Sequence, residues 1–272
     1  MPASQSNPAR QPSLFLPHGG GPCFFMDWNP PDTWTRMAGF LQHLAADLPA
    51  RPSAILLVSA HWAAPAFTLA SGARPQPIYD YHGFPDHTYR LTYAAPGNPT
   101  LAGRAAALLR EAGLDAGENP ERGYDHGVFI PLKLIFPEAG VPIVPLSLRA
   151  DLDPDAHLAA GRALAPLRDD GVLIVGSGMS FHNMRGYGDP RFGPVSDIFD
   201  SWLTETLETD DMAARDSGLK AWADAPGGLQ SHPRGQEEHL LPLMVAAGAG
   251  GQGRRIFSDR VMETTISAFR FD

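Results

Sequence analysis

A single cysteine, Cys23, among 272 residues leaves no partner for an intramolecular disulfide and suits a reducing compartment. Set just behind a glycine loop, it reads as a small buried residue rather than a reactive thiol. Charge is also scarce. Asp, Glu, Lys and Arg make up 19% of the chain, below the ~25% usual for soluble proteins. The balance is acidic, with a net charge of −9, which argues against the basic face that nucleic acid or an anionic membrane requires. No apolar run approaches the ~20 residues of a membrane span, and the polar first dozen residues lack the apolar segment of a signal peptide. The expectation is a cytoplasmic protein with a small-molecule partner and neither nucleic acid nor membrane. Two common catalytic motifs are missing as well. Gly19-Gly20-Gly21 is followed by no Lys-Ser/Thr and forms no G-x-G-x-x-G, against a nucleotide site. Gly176-Ser177-Gly178-Met179-Ser180 lacks the central serine of G-x-S-x-G, against a serine hydrolase.

What is present is enough apolar residue (43%) for a real core, together with 28 glycines and 27 prolines that mark many ordered loops. After a tail expected to be disordered over residues 1–12, strands are predicted at 13–17, 54–60, 67–71, 141–148, 172–176, 255–257 and 266–271. Ala54-Ile55-Leu56-Leu57-Val58 and Val172-Leu173-Ile174-Val175 have the uninterrupted apolar character of buried parallel strands. Helices are predicted after a cap at Asp32 or Thr33, from an N-cap at Asn98 with Pro99 to a stop at Gly113, and from Asp153-Pro154 to near Gly171. Further helices are predicted over 194–208 and 237–247, the last bent or delayed by Pro242. Residues 72–97 form a long aromatic loop, a kind that is usually functional. The alternation points to one α/β domain over 13–272, with a central, largely parallel or mixed sheet flanked by helices.

Ten histidines punctuate this pattern. His43 and His157 lie in helix patterns and read as surface or half-buried. His18 precedes three glycines, which let backbone approach a ligand closely. His61 follows an apolar strand, His239 follows two glutamates at a predicted helix start, and His126 and His182 sit among small and polar residues. Open α/β sheets bind ligands beyond the carboxyl ends of their strands, and imidazoles delivered there suit Zn or Fe. None of the spacings is a compact motif such as His-Glu-x-x-His, so spacing alone leaves the ligand set open.

In order along residues 14–245 the chain carries Pro17-His18-Gly19-Gly20-Gly21-Pro22, Ser59-Ala60-His61-Trp62, Tyr79-Asp80-Tyr81-His82-Gly83-Phe84-Pro85, Asp125-His126-Gly127, Gly176-Ser177-Gly178 through Asn183, and Glu238-His239-Leu240-Leu241-Pro242-Leu243. This ordered set resembles the class III extradiol ring-cleavage dioxygenases, in particular their DOPA-dioxygenase-like branch. The resemblance implies an α/β fold and one divalent metal: Fe(II) for ring cleavage, with Zn(II) in some members. It places His18, His61 and His239 as metal ligands and His182 as a fourth ligand or the catalytic acid/base. His126 becomes a second catalytic histidine in the substrate pocket. Many members of the wider superfamily use glutamate as third ligand, and Glu237 and Glu238 stand beside His239 as alternatives.

The implied partners are a small aromatic diol and O2, and a homo-oligomer is compatible with the chain. Three neutral imidazoles would leave Fe(II) its full charge for a catecholate to neutralise. Histidine, with an ordinary pKa of ~6.5, suits the proton transfer, and His182 is the expected base. Tyr79 and Tyr81 in the aromatic loop, and His232, are expected to bind substrate. Asp125 is a candidate to orient His126, and Arg185 a candidate to meet a substrate carboxylate. Two other readings stay open: a zinc hydrolase using the same three-histidine set to activate water, and a non-catalytic metal-binding protein.

Overall fold

Burial on both faces accounts for the uninterrupted apolar runs of the central strands. The structure, a computed structural model, describes residues 8–272. Its elements are β1 (Ser13–Pro17), α1 (Thr35–His43), β2 (Ala54–Ala64), β3 (Phe67–Ala70), α2 (Pro99–Glu111), β4 (Ala116–Asn119), α3 (His126–Ile135) and β5 (Ile143–Arg149). There follow α4 (Pro154–Leu164), β6 (Val172–Gly178), α5 (Gly193–Glu208), α6 (Met212–Lys220), α7 (Gly228–Ser231), α8 (Leu241–Ala249), β7 (Gly253–Val261) and β8 (Thr264–Phe271). The strands form one eight-stranded mixed sheet in the order β4-β3-β5-β2-β6-β1-β8-β7. At its centre β5, β2, β6 and β1 run parallel, while β8 and β3 pair antiparallel at either side. Leu56, Val58 and Ile174 face a core shared with α2, α4, α5 and α8. Ile55, Leu57, Leu173 and Val175 face the opposite core with α1 and α3. The sheet is thus a middle layer whose parallel strands all end on one side.

Local chemistry placed several boundaries correctly. Asn98 accepts from the Leu101 N–H at 3.0 Å and Asp153 accepts from the Asp155 N–H at 3.0 Å, each with proline at the first turn of its helix. Pro242 falls in the first turn of α8 and delays its start to Leu241. Other expectations need correction. The α1 helix starts after Trp34 with no side-chain cap, because Thr33 Oγ1 turns back to donate to the Pro30 carbonyl. The helix expected to reach Gly171 tightens to 3-10 geometry after Leu164 and stops at Gly171, which takes φ +77°. The β2 strand extends past residue 60 through a register break between Val58 and Ala63. Gln11 and Pro12 lie buried against the fold, with the Gln11 N–H donating to the Arg168 carbonyl at 3.1 Å. The expected tail to residue 12 therefore does not hold there, and residues 1–7 lie outside the described residues. Among the described residues no helix is long and apolar enough to cross a membrane.

His157, expected at or near the surface, is fully buried. Its Nδ1–H donates to the Asp153 carbonyl at 2.7 Å and its Nε2 accepts the Arg149 N–H at 3.2 Å, which fixes a neutral ring. Burial lowers its pKa to about 4. The unfolded chain takes up this proton near pH 6.5 and the folded chain near 4, so stability present above 6.5 is lost as pH falls toward 4. A shift of this size corresponds to about 3 kcal/mol. The stability advantage of the wild type over His157→Gln should therefore shrink by about that amount between pH 7 and pH 4, as measured by urea unfolding of the metal-free proteins. Parallel pH dependence in the two would show that this ring does not contribute.

Candidate metal centre

Three neighbouring parallel strands deliver the site at their carboxyl ends. His18 follows β1 directly, His61 lies in β2 within its register break, and β6 leads into the loop carrying His182. His126 opens α3, and His239 sits in the turn before α8. Two local features bring that turn in. A Cβ on Gly178 would stand 2.1 Å from the His239 carbonyl oxygen, so only glycine permits the approach. The Met179 N–H then donates to the same oxygen at 3.1 Å.

His18 Nε2 and His61 Nε2 are 3.0 Å apart, and one nitrogen from each of His18, His61 and His239 lies within 4.8 Å of the others. Hydrogen bonding assigns the tautomers of two of them. The Ser177 hydroxyl gives its only proton to the Gly127 carbonyl at 2.5 Å, so at 3.1 Å from His18 Nδ1 it accepts. His239 Nδ1 donates to Glu238 Oε1 at 2.9 Å. In both rings the Nε2 lone pair is left for a metal. Burial, reinforced by the neighbouring imidazoles, holds His18 and His239 well below the usual histidine range. Burial and His126 lower His61 to about 3. The three are neutral at pH 7, as ligation requires. A set of three neutral imidazoles, two of them buried and braced through Nδ1, fits Fe(II) or Zn(II).

Two further groups have metal-ligating residue types: His61 with Asp80 and His126, and His182 with Glu238 and His239. Their carboxylates already serve the rings. Asp80 Oδ1 accepts from His126 Nδ1 at 2.9 Å and from the His126 N–H at 3.0 Å, while its Oδ2 lies 3.9 Å from His61 Nδ1. Burial pushes the Asp80 carboxyl up, but the bonds to His126 outweigh it and hold the group below the ordinary range. Glu238 Oε1 lies 3.7 Å from His182 Nδ1. His182 stacks on His239 with ring centroids 3.4 Å apart, and burial, followed by His126, lowers its pKa to about 4.

A cavity of about 300 Å³ opens over this cluster and brings together His18, His61, His126, His182 and His239. Other expected residues lie elsewhere. His232 is fully buried, bonded through Nε2 to the Ser180 carbonyl at 3.0 Å and packed near Phe199 and Trp222. Tyr79 and Tyr81 do not line the cavity. Their hydroxyls donate to the carbonyls of Leu91 and Thr88, both at 2.8 Å, which folds the aromatic loop on itself. That loop contributes Phe84 to the wall. Asp125 does not orient His126; it is buried, accepting from Ser59 Oγ at 2.6 Å and Arg122 Nη2 at 2.7 Å. Asp80 takes that role. Arg185 is exposed and outside the lining. Cys23 is buried, and burial pushes its thiol up, so it is an inert packing residue. Trp28, Trp34, Met179, Met184, Tyr187 and Met262 complete the wall. No spacing marks these last residues, since they come from three separate segments, after β1, β6 and β7.

Residues 13–270 match the family model described as the catalytic LigB subunit of aromatic ring-opening dioxygenase. The chain belongs to this family. It is an oxidoreductase of the dioxygenase class, and it resembles dioxygenases from a fungus, a plant and a bacterium. It is 38% identical to dioxygenase tasH of Hapsidospora irregularis over 95% of this chain and 84% of that protein. A 4,5-DOPA dioxygenase extradiol of Beta vulgaris is 40% identical over 75% of this chain and 76% of its own. The Escherichia coli K12 protein of that name is 35% identical over 88% and 85%. A crystal structure of an uncharacterized Escherichia coli K12 protein superposes with a TM-score of 0.75 at 29% identity, covering 97% of this chain and all of that one.

Proposed function

We propose that this dioxygenase opens a catechol ring by extradiol cleavage, placing both atoms of O2 in the product, with Fe(II) held by His18, His61 and His239. The observation that carries the reading is the convergence of three neutral imidazoles, two of them braced through Nδ1, on the floor of an aromatic-walled cavity. A ferrous ion there would supply the redox chemistry by which dioxygen reacts with an electron-rich ring. The residues supply the rest. His182, neutral at pH 7, takes a catechol hydroxyl proton as general base. His126, with Nδ1 tied to Asp80, orients a substrate oxygen through its other nitrogen. Trp28 and Phe84 close over the ring and exclude water.

The test is oxygen uptake by the Fe(II)-reconstituted protein with a panel of catechols, the ring-opened product being followed by its yellow absorbance. One O2 consumed per catechol is expected. Ester hydrolysis supported by Zn(II) without oxygen would instead establish the hydrolase reading.

A further inference from the structure

The walls of the cavity differ sharply in chemistry from its floor. Apart from the imidazoles they are built by Trp28, Trp34, Phe84, Met179, Met184 and Met262, with Tyr187 and the glycine loop. Among the described residues, no Lys, Arg, Asp or Glu lines the cavity. The polar atoms of the wall side chains are also occupied or hidden. The Trp28 N–H donates to the Cys23 carbonyl at 2.8 Å and the Tyr187 hydroxyl to the Phe181 carbonyl at 2.8 Å, while Trp34 Nε1 has no partner but is buried away from the accessible surface. At the rim, Met184 and Met262 are 70% and 36% exposed, so flexible apolar side chains carry the wall out to the mouth of the cavity.

Beyond Trp28 and Met262 an outer recess does carry charge, but its cations are engaged and its Asp32 and Glu263 carboxylates lie outside the lining of the inner cavity. Arg36 pairs with Asp259 at 2.7 Å, and Arg260 binds both Asp197 oxygens at 2.7 Å and the Glu263 carbonyl at 2.8 Å. A catechol whose two vicinal oxygens sit at the histidine floor projects a substituent at ring position 4 or 5 away from that floor, toward the aromatic and methionine wall. An ionic group there sheds its hydration without a partner, whereas an alkyl group removes apolar surface from water. At about 300 Å³ the cavity lies at the small end of ligand sites.

We propose, resting on the catechol-cleaving reading above, that this enzyme selects catechols carrying a short uncharged apolar substituent and discriminates against those carrying a carboxylate or an ammonium group. Trp28, Met184 and Met262 are the specificity-determining residues.

The test compares isosteric pairs on the Fe(II)-loaded enzyme: 4-isobutylcatechol against 3,4-dihydroxyphenylacetate, and 4-propylcatechol against 4-(2-aminoethyl)catechol. The alkyl member should lead in kcat/KM by about 100-fold over the carboxylate and by about 10-fold over the ammonium, whose loss is softened by the indole faces. Anaerobic calorimetry should place the Kd values in the same order. Met184→Arg and Met262→Arg, each setting a cation at the rim, should narrow the carboxylate gap about tenfold. Equal or reversed preference within the wild-type pairs overturns the proposal, as does a gap that neither arginine variant alters. If unsubstituted catechol and every member of the panel go uncleaved, the failure lies with the catechol reading itself, whatever the binding order.

Discussion

Replacing His18, His61 or His239 by alanine should in each case abolish stoichiometric metal binding and leave a folded protein. Each ring supplies one of three converging nitrogens, and two ligands cannot hold a divalent ion against buffer and water. Loss of a group that merely braces a ligand costs 10–100-fold in affinity, so loss of a ligand should exceed about 100-fold. The fold should survive because the three rings pack on one another at the strand ends, outside the two apolar cores. Fe(II) content after gel filtration, with circular dichroism as control, is the measurement. Two companion variants separate this set from its neighbours. His126→Ala should keep the metal, since His126 lies outside the converging set of His18, His61 and His239. Ser177→Ala should bind it about 10–100-fold more weakly, because His18 loses the acceptor that sets its tautomer. If His126→Ala loses the ion while His239→Ala retains it, the centre lies instead on the His61, Asp80 and His126 side.

His182→Gln should retain Fe(II) and bind catechol while losing about 10²–10⁴-fold in kcat, the usual worth of general acid–base catalysis. His182 lines the cavity and stacks on His239, close enough to serve substrate oxygens without joining the three converging rings. Its backbone is anchored by the N–H bond to the Ser231 carbonyl at 3.0 Å, so the substitution should leave the loop in place. Glutamine keeps the approximate size and a polar tip but cannot carry a proton at neutral pH. A fourth permanent ligand would also compete for the positions a bidentate catechol and O2 need. Stopped-flow binding and steady-state turnover on one preparation separate the two roles. Metal loss in this variant would make His182 a ligand and leave His126 as the base to test.

Seven of the eight strands, the helix starts at Asn98 and Asp153, and the delay at Pro242 were legible from sequence because each depends on neighbours a few residues away: apolar runs, caps and the missing proline N–H; β4, Ala116-Gly117-Glu118-Asn119, has no apolar run to mark it. The histidines at 18 and 61 stood out for the same reason, at the ends of apolar strands. Their grouping with His239 came from the ordered resemblance, since positions 18, 61 and 239 share no period. The helix α3 carries no sequence signature because residues 126–135 are nearly all apolar and buried, which leaves no polar face to mark a helical repeat. His157 and His232 looked exposed or functional because sequence does not reveal whether a ring is enclosed on every side. Tertiary structure alone decided which carboxylate serves which imidazole. Asp80 reaches His126 across 46 residues, past the adjacent Asp125, and Ser177 reaches His18 across 159. It also decided that Trp28, Phe84, Met184 and Met262 share one wall. Trp28 and Met184 follow the parallel strands β1 and β6, Met262 lies in the turn from β7 to β8, and Phe84 comes from the long loop after the antiparallel β3, so only tertiary packing brings the four together.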